Sequence, residues 1–422
     1  MRAETLGKEL ASRPLAALDY TNRQESEHAK SNPERVLVVH NFYQSPGGED
    51  QVFRQEIAML KAKGHSVSEF TVHNDEVNAL NKWDLAWKAF WNDDVFQRLT
   101  ELIRREKPSI AHFHNTFPLI SPAGYYAARM QNVAVVQMVH NYRLICPKAI
   151  MYRDGHVCEL CTHRAFAWPS IIHRCYRGSA LATGLTATMT AYHRVRGTWD
   201  SLVDVYIAAT DFSRKKLIEG GFSADKIVVK PNFLVDALQE GPGGGGYVAY
   251  VGRLVPEKGV ATLLKAWSLL DSSIQLKIVG DGPMRDIVKA AAEVDPRIEF
   301  MKFCSRAEVH AVLSRAEMMV FPSEWYEPFP LTMIEAFAAG TPVVAARIAH
   351  LPDLVRPGQT GRLFRPGDAR GLADEIKSLF AVPSERRAMR AYCRRTYEEL
   401  FTAERNYPIL MAAYRKALNQ TT

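Results

Sequence analysis

Two successive series of short, almost wholly apolar runs constrain this chain more than any other feature. The first series opens at Arg35-Val-Leu-Val-Val-His-Asn and continues at residues 66–72, 109–114, 133–140 and 205–209. The second restarts at 247–251 and continues at 275–279, 298–300, 318–321 and 342–345. Helix-compatible stretches separate the runs, among them 260–270, 284–293 and 331–339. A run that stays apolar at consecutive positions suits a strand buried on both faces, and strands alternating with helices imply a parallel sheet. The expected fold class is α/β: two doubly wound, Rossmann-like parallel-sheet domains facing a cleft. A ligand is expected in that cleft, at the carboxyl ends of the strands.

The domain boundary is legible in the same way. Lys230-Pro231-Asn232 closes the first series, and Gly241-Pro242-Gly243-Gly244-Gly245-Gly246 has the composition of a flexible linker. The expected domains are 35–236 and 247–385, with a final helical stretch, 386–422, packing back on the first. Residues 1–34 read as a charged, poorly ordered tail, because Arg13 and Pro14 interrupt the one apolar patch that a secretory signal would need. The 422 residues hold 47% hydrophobic and 23% charged side chains, which excludes wholesale disorder, collagen-like repeats and a small disulfide scaffold. The net charge of +7 is mild over this length, and no run approaches the 18 or so apolar residues of a spanning helix.

Four segments of the second half carry candidate chemistry, each at a strand end or helix start. In Tyr250-Val-Gly-Arg-Leu-Val-Pro-Glu-Lys-Gly259, the cations Arg253 and Lys258 bracket a turn after a strand, an arrangement suited to a diphosphate; Gly252 lies in the same turn. Val279-Gly-Asp-Gly-Pro283 is a tight turn in which Asp281 and Gly282 allow close backbone approach to a ligand. Phe303-Cys304-Ser305 is a strand end able to meet a flat base. The fourth segment, Glu327-Pro-Phe-Pro-Leu-Thr-Met-Ile-Glu335, places one carboxylate in a loop and a second about two turns into a helix. Glu335 stands among Leu331, Met333, Ile334 and Phe337, where a carboxylate needs hydrogen-bond donors such as a ribose diol.

Together these segments closely resemble the retaining glycosyltransferases of family 4, which have the GT-B fold. The likeness runs from about residue 35 to near the end, with the Glu-x7-Glu spacing of Glu327 and Glu335 at its centre. It implies that Glu335 binds the donor ribose, that Arg253 and Lys258 neutralise the diphosphate leaving group, and that Glu327 holds the sugar ring with the backbone after it, from Phe329 to Leu331 and Thr332. It implies further that Gly47 and Gly48 form a glycine loop near the diphosphate and acceptor, and that His140 lies beside the donor sugar. One departure stands out. Pro330 replaces a glycine common in the family and cannot donate a backbone hydrogen bond. The implied activity is transfer of a sugar from a nucleotide-sugar donor to an acceptor hydroxyl with retention, in bacterial surface-polysaccharide or lipid-linked glycan assembly at the cytoplasmic face of the membrane. No metal is expected for transfer, since there is no Asp-x-Asp segment and protein cations can stabilise the leaving group. A nucleotide-sugar hydrolase or epimerase of the same fold, and a non-catalytic nucleotide-sugar-binding protein, are the rival readings. A dinucleotide-dependent oxidoreductase is weaker, because no G-x-G-x-x-G follows the first strand.

Cys146, Cys158, Cys161 and Cys175 include one C-x2-C and lie in an excursion, 145–176, with little helix or strand pattern. Four thiolates suit structural zinc, with an iron–sulfur cluster or plain thiols as alternatives. His140-Asn-Tyr-Arg-Leu-Ile-Cys-Pro is similar to a bacterial subgroup of the same family. Trp83, Trp87, Phe90 and Trp91 form an aromatic stripe at helical spacing, for which core packing is the favoured expectation and contact with a membrane surface the alternative. His112 and His114 are read as alternating along one strand and are expected to face opposite sides, with at most His114 reaching the cleft. Nucleic acid is not an expected partner.

Overall fold

The computed structural model describes residues 34–44, 47–236, 238–271, 273–302 and 304–420; most of the expected N-terminal tail, and Phe303, lie outside them. The strands are β1 (Arg35–Phe42), β2 (Ser66–His73), β3 (Ile110–Phe113), β4 (Ala134–Val139), β5 (Tyr152–Arg153), β6 (His156–Val157), β7 (Val205–Ala208) and β8 (Ile227–Val229). They continue as β9 (Tyr247–Val251), β10 (Gln275–Val279), β11 (Ile298–Met301), β12 (Met318–Phe321), β13 (Val343–Ala346) and β14 (Gly361–Phe364). Two compact units result. The first contains residues 34–151, Cys158–Val235 and 403–420, and the second contains Tyr152–Val157 and Asp236–Thr402.

In the first unit, six parallel strands run in the order β2-β1-β3-β4-β7-β8. The inner strands are buried at nearly every position, as their uninterrupted apolar runs require. The order reverses direction between β1 and β3, so the sheet has its switch point where Phe42 and Phe113 end those strands. Helix Gly48–Ala62 follows β1 and buries Val52, Phe53, Ile57, Met59 and Leu60 together with Gln55 and two carboxylates, Asp50 and Glu56. Its start is fixed at Gly47, whose N–H donates to Asp50 Oδ2 at 2.9 Å.

In the second unit the six parallel strands run β11-β10-β9-β12-β13-β14, with the switch point between β9 and β12. Strands β9 and β12 and the helix Leu331–Ala338 are buried throughout, apart from a half-buried Thr332. Strands β8 and β14 are three and four residues long and carry too few apolar positions to stand out in the sequence. The C-terminal stretch is two helices, Pro383–Leu400 within the second unit and Ala403–Gln420 within the first. Asn406 anchors the latter by donating to Pro231 O at 2.6 Å, and Tyr414 lies against His112.

Two candidate half-sites at the strand ends

The second unit gathers its candidate residues at the β9/β12 switch point. Gly252 and Arg253 follow β9, and Lys258 lies in a single turn of 3-10 helix that ends at Gly259. Gly259 has φ +72°, and a Cβ there would fall 1.9 Å from Pro322 O, so only glycine lets this turn lie against the end of β12. The β9 turn is also stitched to the β10 turn: Gly252 N–H donates to Val279 O, and Leu254 N–H to Asp281 O. A Cβ on Gly280 would fall 1.9 Å from Gly252 O, so that seam depends on glycine as well.

Lys258 Nζ donates to Glu327 Oε2 at 2.5 Å, and the same oxygen accepts from Trp325 Nε1 at 3.0 Å and Ser323 Oγ at 3.4 Å. The lysine head also sits 5.3 Å from the Phe321 ring centroid and 5.7 Å from that of Trp325. Glu327 is therefore held from three directions at the end of β12, with 7% of its surface exposed. Arg253 is exposed and forms no ion pair among the described residues, so its guanidinium is available to an anion. Glu335 is also 7% exposed, on the helix Leu331–Ala338, with Arg306 Nη2 3.9 Å from its Oε1. Phe329, Leu331 and Thr332 lie at the start of that helix, where unpaired N–H groups make an anion-favouring end, and Pro330 occupies its N-cap. Asp281 and Gly282 close the β10 turn, and Cys304 precedes Ser305, which caps the helix Arg306–Arg315.

The first unit brings together a buried polar network that extends well beyond the sequence expectation. His140 follows β4, and its Nε2 lies 2.9 Å from His114 Nδ1. His114 Nε2 makes a long, off-axis approach of 3.3 Å to Glu56 Oε2, while His112 Nδ1 is 3.4 Å from the same oxygen. Lys230 Nζ donates to Glu56 Oε1 at 2.5 Å, with Asn406 Oδ1 as its second acceptor at 3.2 Å. Glu56, His112 and Lys230 are fully buried. The two histidines thus face the same carboxylate, with ring centroids 4.6 Å apart, and the expectation of opposite faces is corrected. The reason is that side chains two positions apart along a strand lie on the same face, so alternation itself brings His112 and His114 to one side, and the expectation miscounted the period.

Burial alone would raise the Glu56 carboxyl, but Lys230, then His112 and His114, outweigh it and hold it well below the usual range. Burial lowers the histidines instead: His112 to about 3, and His114 and His140 below their ordinary value, with neighbouring histidines adding to the effect at His140. Neutral rings beside an ionised carboxylate fix a proton pattern. Glu56 can only accept, so His114 turns Nε2–H towards it and accepts from His140 Nε2–H through Nδ1. His140 Nδ1 is left as an acceptor. Glu56, His112 and His114 have ligand atoms mutually within 4.8 Å, but Lys230 already supplies the positive charge there, so the group is an ion-paired network rather than a cation seat.

At the β1 end, His40 Nε2 pairs with Asp50 Oδ1 at 2.7 Å, and Asn115 N–H approaches His40 Nδ1 at 3.4 Å. Gly47 and Gly48 open the adjoining helix, followed by Glu49, which accepts from Tyr43 OH and Asn141 Nδ2, both at 2.9 Å. Burial pushes the Glu49 carboxyl up against those hydrogen bonds. Neither Glu49 nor Glu56 was among the sequence candidates. The signal for Glu56 was present, since it occupies the apolar stripe of its helix just as Glu335 does.

Cys146, Cys158, Cys161 and Cys175 all belong to the first unit. The Cys161 thiol is pushed up to about 12, first by burial and then by Cys146, Cys175 and Cys158, which places the four side chains in one neighbourhood. Burial pushes the Cys146 thiol up as well, against the backbone N–H groups of Met151, Lys148 and Ala149, which act to lower it. The four sulfurs do not contribute to any set of three ligand atoms within 4.8 Å of one another among the described residues. Trp83 and Trp87 are 71% and 65% exposed, so the expectation that the aromatic stripe packs into the core is corrected. Only the Phe90 and Trp91 end of that helix turns inward, towards Tyr192 and Tyr126.

Residues 239–396 match the family described as Glycosyl transferases group 1, a span that includes the whole half-site of the second unit. The chain is 29% identical over 208 residues to the phosphatidyl-myo-inositol mannosyltransferase of Mycobacterium leprae, covering 47% of this chain and 55% of that protein. It is 38% identical over 161 residues to the glycogen synthase of Mycobacterium tuberculosis, covering 36% and 39%. The chain thus spans about half the length, or less, of these curated relatives. Among solved structures, sucrose-phosphate synthase from Thermosynechococcus elongatus superposes with a TM-score of 0.68 at 18% identity, over 92% of this chain and 100% of that one. The Anabaena protein HepE in complex with UDP-glucose gives 0.62 at 17%, over 90% and 98%. These likenesses show the fold, a pair of six-stranded parallel sheets of the GT-B type, while the family match is confined to residues 239–396.

Proposed function

We propose that this protein is a retaining glycosyltransferase of the family 4 kind, moving a sugar from a nucleotide-sugar donor to an acceptor hydroxyl. The observation that carries the reading is the ordered pair of Lys258 and Glu327 beside Arg253 and Glu335, at the switch point of a domain that matches group 1 glycosyltransferases. In this reading Glu335 accepts from the donor ribose, and Arg253 and Lys258 face the diphosphate. Positive charge builds on the sugar and negative charge on the diphosphate as their bond breaks, and fixed cations stabilise the departing group without reorganising. Glu327, held by Lys258, Trp325 and Ser323, contacts the sugar hydroxyls. Support for a nucleotide-sugar donor comes from HepE, a protein of like fold bound to UDP-glucose. In the first unit, His140 presents Nδ1 as an acceptor to a substrate hydroxyl. The proposed acceptor is a glycan or lipid-linked glycan, at the cytoplasmic face of a bacterial membrane. No helix among the described residues is long and apolar enough to cross a membrane.

The test is a panel of nucleotide sugars, each incubated with and without candidate acceptors in EDTA, followed by analysis of the products. Acceptor-dependent transfer with the anomeric configuration kept is expected. Release of free sugar regardless of acceptor would favour the hydrolase reading, and binding without turnover the non-catalytic one.

The four cysteines are proposed to hold one structural zinc, which would staple the 145–176 excursion. Protein purified without chelator or affinity metal should contain about one zinc per chain by elemental analysis. Iron with visible absorbance would point to a cluster, and neither metal would leave four plain thiols.

A further inference from the structure

Outside both half-sites, the first unit exposes an unusual amount of apolar surface on three helices that pack together. Helix Ala180–Val195 buries Thr183, Thr186, Ala187, Met189 and His193, and turns Leu181, Leu185, Tyr192 and Val195 to solvent. Its amphipathicity is inverted: threonines lie within, while an aliphatic and aromatic stripe at spacings of four, seven and three residues lies without. No charged residue occurs in it before Arg194. Helix Lys82–Phe90 leans on its C-terminal end, with the Phe90 and Tyr192 rings 4.8 Å apart and His193 Nε2 3.2 Å from Phe90 O. That helix exposes Trp83 and Trp87, one turn apart. Helix Trp168–Ile172 lies along the other end, near Gly184 and Thr183, and exposes Trp168 at 47% and Ile172 at 66%.

Positive charge predominates around these helices, although helix Lys82–Phe90 carries Asp84 between Lys82 and Lys88 and is followed by Asp93 and Asp94. From Leu160 to Trp199 there are five arginines, Arg164, Arg174, Arg177, Arg194 and Arg196, and no aspartate or glutamate. None of the five forms an ion pair among the described residues, and the Arg164 guanidinium lies 5.0 Å from the Trp168 ring centroid. Contiguous exposed apolar surface marks an interaction site. Tryptophan and leucine backed by unpaired arginine is the composition that lies in the headgroup layer of an anionic bilayer, with rings at the acyl boundary and cations among the phosphates.

We propose that this face of the first unit docks on an anionic lipid bilayer. The occupant is argued from charge complementarity: Arg164, Arg174, Arg177 and Arg196 are exposed with no ion pair among the described residues, and an anionic leaflet supplies the counter-charge that a protein partner of ordinary mixed charge supplies only in part. The inference does not depend on sugar transfer, because docking is measured without any nucleotide sugar and survives the failure of that reading. Cys161 and Cys175 flank the helix Trp168–Ile172, so anything that orders the excursion also presents this face.

The experiment is co-sedimentation of the full chain with phosphatidylcholine vesicles, with and without phosphatidylglycerol, at low and high salt. Binding is expected to need the anionic lipid and to fall with salt. Trp83→Ser with Trp87→Ser, and separately Arg174→Glu with Arg177→Glu, should each weaken it by about tenfold or more. All four residues are exposed, so melting temperature should hold, and circular dichroism checks this. Failure to sediment with either vesicle would overturn the proposal. So would concentration-dependent self-association in solution that the tryptophan pair abolishes, since a second copy would then be the occupant.

Discussion

At the residue scale, buried carboxylates organise both units, and they differ in how readily the sequence betrays them. Glu335 stood out as a charge inside an apolar helix flanked by a second glutamate at a family spacing. Glu56 occupies an equivalent stripe position, yet its partners His112, His114 and Lys230 come from strand ends scattered over more than a hundred residues. Only the fold assembles them. Lys230 even read as part of a closing turn, although it is fully buried. Removing one partner of a buried ion pair leaves the other uncompensated, so Glu56→Gln should destabilise the first unit by about 3–5 kcal/mol in denaturant titration. A loss below about 1 kcal/mol would mean the network is not ion-paired. The histidines set the pH response. Their native values lie below the ordinary one, with His112 and, in the second unit, His350 at about 3, so the unfolded chain binds protons that the native state refuses. Stability is therefore fully present above about pH 6.5 and falls as pH drops from there towards about 3, by up to about 1.4 kcal/mol per pH unit for each such group. Chemical denaturation at pH 7 and pH 5 checks this, and equal stabilities would contradict it.

At the scale of elements, the strand-to-helix turns decide what the second half-site can hold. They were legible because glycine and proline punctuate a parallel sheet at fixed places. What could not be read was the reason each glycine is needed, since Pro322 O and Gly252 O approach Gly259 and Gly280 only after folding. Gly259→Ala should cost about 2–3 kcal/mol, at the upper end of ordinary single substitutions, because φ +72° and a contact of 1.9 Å with backbone must both be relieved. Nucleotide affinity should fall with it, as Lys258 is displaced. Thermal melts and calorimetry report the two effects, and wild-type values in both would show that the turn is looser than described. The aromatic helix Lys82–Phe90 teaches the converse. Helical spacing of Trp83 and Trp87 was correctly periodic, but periodicity alone does not say whether a stripe faces protein or solvent.

At the scale of the molecule, ten of the twelve parallel strands in two sheets followed directly from two series of buried apolar runs, β8 and β14 being the two that did not, and the switch points follow from strand order. Strand order was not available from the sequence, because it is set by long-range pairing rather than by local pattern. The break at Phe401 and Thr402, which sends Ala403–Gln420 to the first unit, was equally hidden, since both flanking stretches are helical. The central claim is that fixed protein cations stabilise a departing nucleoside diphosphate in the second unit. It is tested most directly by the rate of sugar transfer in EDTA for wild type and Arg253→Ala, at saturating donor and acceptor. Arg253 is exposed, so the variant should fold normally. Because the diphosphate gains charge in the transition state, turnover should fall on the order of 10²-fold or more. A variant that turns over at the wild-type rate, with the change confined to the Michaelis constant, would contradict it.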